Sequence, residues 1–598
     1  MKEKCGENRT TRRTFLKNRV FAGAAGVAGI YALETPKVRP VAGRYPPGVQ
    51  GHDPPGGDVL YNGIGLPLRW PPQEMNPDSW RPMPVPYLQS LPEVIPIDVG
   101  RQLFVDDFLI EYTDLKRDFH QPVKYEGNPV LKPETEVEMN QGYCPMAAPF
   151  SDGCFYDPED KLFKLWYMAG WFDGTALATS SDGIHWRRPE LDVVPGTNLV
   201  LPRRDTRDGV SLWIDHDAKD PAERFKMYRY ERAGKIGEKL SAVGGFILTS
   251  PDGAHWNWHG KIGKTGDNST FFYNPFRKQW VFTVRTVGRP APPWAVAPWS
   301  HRSRGRARSY WENEEFLAAL DGWDGYDPVF WLGADQLDRK RENYDIGREP
   351  QLYKVDAVGY ESLMLGLLQV HYGPPNSECA KGGFPKLTEL QLAFSRDGFH
   401  WDRSCRETFI GATLQRDSWE RAYVHSVGGV CNLVDDKLYF YYTAFQGDES
   451  NRNPLPQWSG MYANASTGVA VLRRDGFASM AAAEEGILLT RLVKFRGKHL
   501  FINVEGGRLS AEVCQEDGTS VPGFTRGDCV PVSKDSTKHL IVWKDTDSLE
   551  SLAGKPLRFK FYLTKSRIYA FWVSQNRLGS SGGATAAGGP GLRGNWDT

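Results

Sequence analysis

Five stretches of the chain begin alike, and their polar first positions align as Asp152, Asp208, Asp267, Glu349 and His425. They read "SDGCFYDPEDKLFKLWY" from Ser151, "RDGVSLWIDHDAKDPAERFKMYRY" from Arg207 and "GDNSTFFYNPFRKQWVFTVR" from Gly266. The last two are "REPQLYKVDAVGYESLMLGL" from Arg348 and "VHSVGGVCNLVDDKLYFYY" from Val424. Four carboxylates gathered at one rim raise one another's pKa. One carboxyl can then stay protonated as an acid while another stays ionised as base or nucleophile, which is the equipment for breaking a glycosidic bond. The competing use of the same groups is to hold a cation, a structural Ca2+ at the centre, with His425 serving directly or through water. Taken singly, an Asp before Gly is more often a turn residue.

For these positions to meet, each stretch must be the inner part of a repeated unit. Each has a polar start, a short strand, a turn and a second apolar strand. Between them recur "SSDGIHW" at Ser180–Trp186, "SPDGAHW" at Ser250–Trp256 and "SRDGFHW" at Ser395–Trp401. Asp182, Asp252 and Asp397 are 70 and 145 residues apart, one period and about two, and a degenerate "RRDGFASM" at Arg473–Met480 comes 78 further on. Asp-Gly favours a tight hairpin, so the motif reads as the outer hairpin of each unit. Five such units predict an all-β fold: a five-bladed β-propeller over residues 98–486, with the inner strands lining one axis. From about Ile487 the pattern alternates without the unit signature, predicting a C-terminal β-sandwich over 487–576.

The ends read differently. Residues 1–34 carry "TRRTFLK" followed by the small apolar run Val20–Leu33, which looks like a twin-arginine export signal. The protein is therefore expected to be periplasmic or secreted. Residues 35–97 form a proline-rich extension, read as a linker or wrapping arm, and 577–598 a disordered Gly-rich tail. Lys+Arg and Asp+Glu both number 73. Removing the seven basic and three acidic residues of the leader leaves 66 against 70, so no charge excess favours nucleic acid. No later run of eighteen apolar residues suggests a membrane span. The cysteines are scattered without a C-x-x-C pair; disulfides are permitted outside the cytoplasm, but their pairing is not specified.

With the order "SDGCFYDP", then "RDG", then a third acid, the chain resembles the five-bladed propeller glycosidases of glycoside hydrolase families 32 and 43. It is also similar to exported, family-32-like proteins of planctomycete-type bacteria through "GRQLFVDDFLIE" and "SRDGFHWDR". The resemblance implies that Asp152 is nucleophile or general base. It makes Asp208 the carboxylate that tunes pKa and holds sugar hydroxyls, Arg207-Asp208 being similar to an Arg-Asp-Pro element with Gly209 in place of Pro. The proton donor is Asp267, in the expected column, or Glu349, one unit later. No cofactor is implied.

"HRSRGRARSYWE" at His301–Glu312 stands where a third outer turn is missing. Its arginines could clamp a sulfated or carboxylated sugar, or form a solvated basic strand beside Glu312, Glu314 and Glu315. Arg306, with Arg207 and Arg348 beside rim acids and Trp171 near a rim, is taken as substrate-binding. The expected activity is exo-type hydrolysis of a furanoside or of an oligosaccharide derived from a polysaccharide. The alternative is a non-catalytic carbohydrate-binding propeller. Nothing in the sequence indicates the oligomeric state.

Overall fold

The computed structural model describes residues 57–73, 75–203, 206–289, 305–323, 328–341 and 349–598. The leader and Arg348 lie outside these residues. The chain is nearly all β, and four-stranded antiparallel units succeed one another along it. The first comprises Met146–Asp157, Leu162–Ala169, Gly174–Ser180 and Leu199–Leu201. The second comprises Thr206–Ile214, Phe225–Ala233, Ser241–Ser250 and Asn257–Lys261. The third comprises Thr270–Asn274, Gln279–Arg289, Gly305–Asn313 and Val329–Gly333. The fourth comprises Gln351–Glu361, Leu363–Gly373, Leu387–Ser395 and Thr408–Ile410. Every residue of Gln351–Glu361 and Leu363–Gly373 is buried, as expected of strands covered on both faces.

The fifth unit closes differently from the sequence expectation. Ala422–Ser426, Lys437–Phe445 and Ala465–Arg473 supply its inner strands, and Val123–Lys124, from before the first unit, pairs with Ala470 and Val471 as the outermost. "RRDGFASM" therefore builds no outer hairpin here. Its last residues join Ala478–Ala481, which pairs instead with Lys116–Phe119 and Arg567–Ile568. A ring needs its last unit tied to its first, and a strand from the chain's beginning does this where a local hairpin cannot.

The inner strands meet in a closed circuit. Ser151 pairs in parallel with Val210 on one side and bridges Val427 on the other. The Ser211 hydroxyl donates to the Phe271 carbonyl (3.2 Å), and the Thr270 hydroxyl to that of Val355 (2.5 Å). The Lys354 ammonium donates to the Ser426 carbonyl (2.6 Å) and the Ser151 hydroxyl (3.0 Å), joining the fourth, fifth and first units. This is a β-propeller, with the aligned positions at the entry to the inner strands.

The recurrent Asp-Gly-x-His-Trp is a turn used three times in the same way. In each copy the Asp accepts from the two backbone N–H groups two and three residues on, and from the His Nδ1 at 2.7 Å. The glycine takes positive φ at 76°, 81° and 85°. The turns also latch neighbouring units: Tyr441 donates to the Gly183 carbonyl, Trp166 to that of Gly253 and Trp331 to that of Phe399. In the third unit the expected substitute is misplaced. Gly305–Asn313 is that unit's third strand, and the 3-10 helix Phe316–Asp321 follows it where the hairpin would stand.

A second sheet of eight strands is centred on the paired His499–Cys514 and Arg558–Ser574. It is not confined to 487–576, because Gln102–Leu103, Ile110–Thr113 and Lys116–Phe119 belong to it too. Where the sheets meet, Arg101 pairs with Asp475 (2.8 Å) and Glu361 (3.4 Å), and stacks over Trp572 at 4.1 Å. The proline-rich extension wraps the third and fourth units: Tyr61 stacks on Phe276 and donates to the Ser362 carbonyl, and Tyr87 donates to that of His400.

The end of the chain is not a disordered tail. Ala584–Thr585 pairs with Tyr360–Glu361, and Ala586 to Gly588 exchange backbone bonds with Tyr156, Gly359, Cys431 and Leu433. Asn595 donates to Asp217, and Trp596 packs on Phe276 at 5.8 Å. The tail thus touches all five units at the exit end of their inner strands. Its glycines serve close approach, not disorder: a Cβ at Gly583 would overlap the Glu361 carboxylate, and one at Gly589 the Leu433 carbonyl. The seven cysteines beyond the leader are free thiols. No helix among the described residues is long and apolar enough to cross a membrane.

Candidate active site

Bulges shape the entry to the first two inner strands. Pairing slips between Ala148 and Gly153 in one and between Arg207 and Val210 in the other, and bulges re-aim side chains. Ser151 adopts φ 77° in the first. The side chains of Asp152 and Arg207 meet there in a two-pronged pair at 2.8 and 3.0 Å, both wholly buried. The Phe150 N–H donates to Asp152 as well (2.6 Å), and Arg207 also donates to Thr175 and to the Asp208 carbonyl. Asp152, expected as base or nucleophile, and Arg207, expected to bind substrate, spend their polar atoms on each other. They anchor the first unit to the second.

The next two aligned acids face a more open space. Arg232, on the second strand of the second unit, donates from Nε to Asp208 (2.6 Å) and from Nη2 to Asp267 (2.8 Å). Arg285 also pairs with Asp267. Asp208 is nearly buried, while the side chains of Arg232, Asp267 and Arg285 each keep about a fifth of their surface exposed. The Asp208 carboxylate, foremost, raises the pKa of Arg232 above the ordinary guanidinium value. Asp208 and Asp267, sharing one guanidinium, lie closer than the roughly 9.5 Å upper limit for paired glycosidase carboxyl groups.

A third cluster contains residues that the repeat alignment does not single out. Tyr353 lies within hydrogen-bond reach of Tyr423 (3.1 Å) and accepts from Lys386 (3.1 Å), which also donates to Asn376 (2.9 Å). Arg306 donates to Gln351 (3.0 Å) and lies over the Tyr353 ring at 5.1 Å. Burial by itself would raise the Tyr353 pKa. The cations Lys386 and Arg306, with hydrogen bonds from Tyr423 and Lys386, outweigh it and pull the phenol down to about 7. Tyr462 completes the cluster beneath Lys386 and feels both Tyr353 and Asp208. Lys386 and Tyr462 come from loops beyond the short helix Asn376–Gly382 and at the 3-10 turn Gly460–Tyr462. Their only sequence signal is a basic or aromatic residue in a Gly-rich connection.

The remaining sequence candidates lie elsewhere. Glu349 pairs with the half-exposed Lys340 (3.0 Å) and makes no contact with Asp208 or Asp267. Trp171 is 1% exposed, stacked on Tyr462 at 4.3 Å and edged by Phe150, so it offers no face to a sugar. His425 is wholly buried among Phe150, Tyr353, Tyr423 and Phe445, and neither ring nitrogen has a hydrogen-bond partner. Burial, then Lys354 and Lys386, hold its pKa well below the ordinary imidazole value. Calcium takes six to eight oxygen ligands, and an imidazole between two ammonium groups does not fit it. No group of three or more His, Cys, Asp or Glu among the described residues could hold a metal ion.

No family model and no curated protein matches the sequence. Solved structures with a similar course do exist. One is an N-acetylgalactosamine deacetylase from F. plautii, in complex with blood group B trisaccharide, at 15% identity and TM-score 0.38, covering 60% of this chain and 96% of that one. Another is a thermostable family-43 glycoside hydrolase, at 9% identity and TM-score 0.35, covering 56% and 95%. A third is a fructofuranosidase from Schwanniomyces occidentalis, at 11% identity and TM-score 0.33, covering 73% and 98%. The chemistry of this chain must be read from its own side chains.

Proposed function

We propose that this protein is an exported glycoside hydrolase working at the cluster of Asp208, Asp267 and Tyr353. The observation that carries the reading is Arg232, which holds the nearly buried Asp208 and the partly accessible Asp267 side by side at the entry to adjacent inner strands. Asp208 acts either as the base that takes a proton from the water attacking the anomeric carbon, or as the nucleophile that attacks this carbon itself to give a glycosyl-enzyme which water then hydrolyses. Two guanidinium groups hold Asp267, which suits it to steady Arg232 and bind sugar hydroxyls rather than to give up a proton. Tyr353, poised near neutral pH, protonates the departing glycosidic oxygen, and Lys386 stabilises the phenolate left behind. Lys386 and Tyr462, from loops of the fourth and fifth units, pack around Tyr353, and the activity proposed is exo-acting, on chain ends. The twin-arginine-like leader supports export.

A second reading, a carbohydrate-binding propeller without catalysis, is favoured by the cationic partner that each described rim carboxylate already has. Turnover and calorimetric binding of Asp208→Asn on a panel of furanosides and algal oligosaccharides separate the two. The hydrolase reading expects turnover to fall about 100-fold or more with binding retained. Absence of turnover in the unaltered protein, with binding, would establish the second.

A further inference from the structure

Arg306 and Arg308 lie two residues apart on one strand, hence on the same face, and Arg308 stands directly opposite Arg285 on the neighbouring strand. Like charges so placed repel. Arg285 has Asp267 and Arg306 has Gln351. Arg308 has neither: its side chain is wholly buried, and none of its three nitrogens finds a hydrogen-bond partner. Burial, followed by Arg285, pushes its pKa down to about 9, while Tyr353 and Asp356 only partly offset the effect. Those two are already engaged, Tyr353 by Lys386 and Tyr423, and Asp356 by Lys354 and Ser426. Burying an unpaired guanidinium is costly, and the fork of a guanidinium matches the oxygens of a carboxylate or sulfate. Arg285, opposite Arg308, and Arg306, two residues along its strand, keep part of their surface open. The cluster is also continuous with the carboxylates, because Arg285 and Arg232 share Asp267.

We propose that Arg285, Arg306 and Arg308 form a subsite for an oxyanion substituent of the carbohydrate, a sulfate ester or a carboxylate, placed beside the reacting bond. The proposal rests on the carbohydrate reading for the sugar that carries the charge; the anion site itself rests on the three arginines. Free sulfate offers the same chemistry, so the test must separate the two sources.

Binding is measured by calorimetry for inorganic sulfate, galactose 6-sulfate, glucose 6-sulfate, glucuronate and galacturonate, with galactose and glucose as neutral parents. The expected result is that at least one charged sugar binds tenfold or more tighter than its parent. Arg308→Met should erase that preference, while the affinity for neutral sugar stays the same. Arg306→Gln, at a more open position, should weaken it in the same direction and guards against misfolding of the first variant. Charged sugars that bind no better than neutral ones, or a preference that survives both substitutions, would overturn the proposal. Binding of inorganic sulfate alone would assign the cluster to the free ion and equally overturn it. Asp208→Asn must keep the charged-sugar preference, so a failed hydrolase reading and a failed anion subsite give different results.

Discussion

Asp152 and Arg207 face each other with no exposed surface, two nitrogens against two oxygens, at the junction of the first and second units. Removing one partner of such a pair leaves the other charged and buried, at a cost of about 3–5 kcal/mol. Asp152→Asn should therefore lower unfolding stability by that order, measured in urea. Asp152→Leu with Arg207→Met should recover much of the loss. A fully stable Asp152→Asn that no longer turns over substrate would instead return Asp152 to catalysis.

Tyr353 gives a pH signature. Its folded pKa, about 7, lies below the ordinary tyrosine value near 10. The phenolate thus contributes stability fully above pH 10, and that contribution is lost as pH falls through 7. Compared with Tyr353→Phe, the unaltered protein should gain stability from pH 7 to pH 10. Its ultraviolet difference spectrum should show one tyrosine ionising near neutrality. Parallel stability curves across that range would count against the cluster.

The repeated turns are chemically alike but differently buried, which makes them a controlled comparison. Asp397 and His400 are nearly buried, while Asp182 and His185 are largely exposed. Asp397→Ala leaves two backbone N–H groups unpaired away from water, where each costs about 1–3 kcal/mol, whereas at Asp182 water replaces the lost acceptor. Thermal unfolding should rank Asp397→Ala well below Asp182→Ala. Equal losses would mean that burial of the turn does not set its contribution.

The tail makes a prediction that its composition argues against. Deleting 580–598 removes contacts to every unit and should lower the melting temperature by more than about 4 °C, the scale of roughly 1 kcal/mol in a mid-sized domain. In the intact protein this Gly-rich segment should resist limited proteolysis. Rapid trimming with no change in melting temperature would contradict the fold described.

Much of this architecture was legible because strands repeat. The inner strands announce themselves by a polar start and an apolar run, so Asp208, Asp267 and His425 could be aligned without coordinates. Alignment gives a column but not the partners. Arg232, Arg285 and Lys386 come from second strands and loops, where no repeat constrains them, and they decide which acid is free. Asp152 and Asp208 each precede a glycine at a bulge, and what separates them is the partner each side chain meets, Arg207 for one and Arg232 for the other. The glycines at 583 and 589 read as disorder because composition cannot distinguish absence of structure from absence of room.

The pairing of Val123–Lys124 with the strand Ala465–Arg473 sets the order of events at synthesis. The partner of residue 123, Val471, emerges from the ribosome 348 residues later, so the ring stays open at one seam until most of the chain exists. A nascent or truncated chain would present that seam as an unprotected edge, the kind of surface on which chains aggregate.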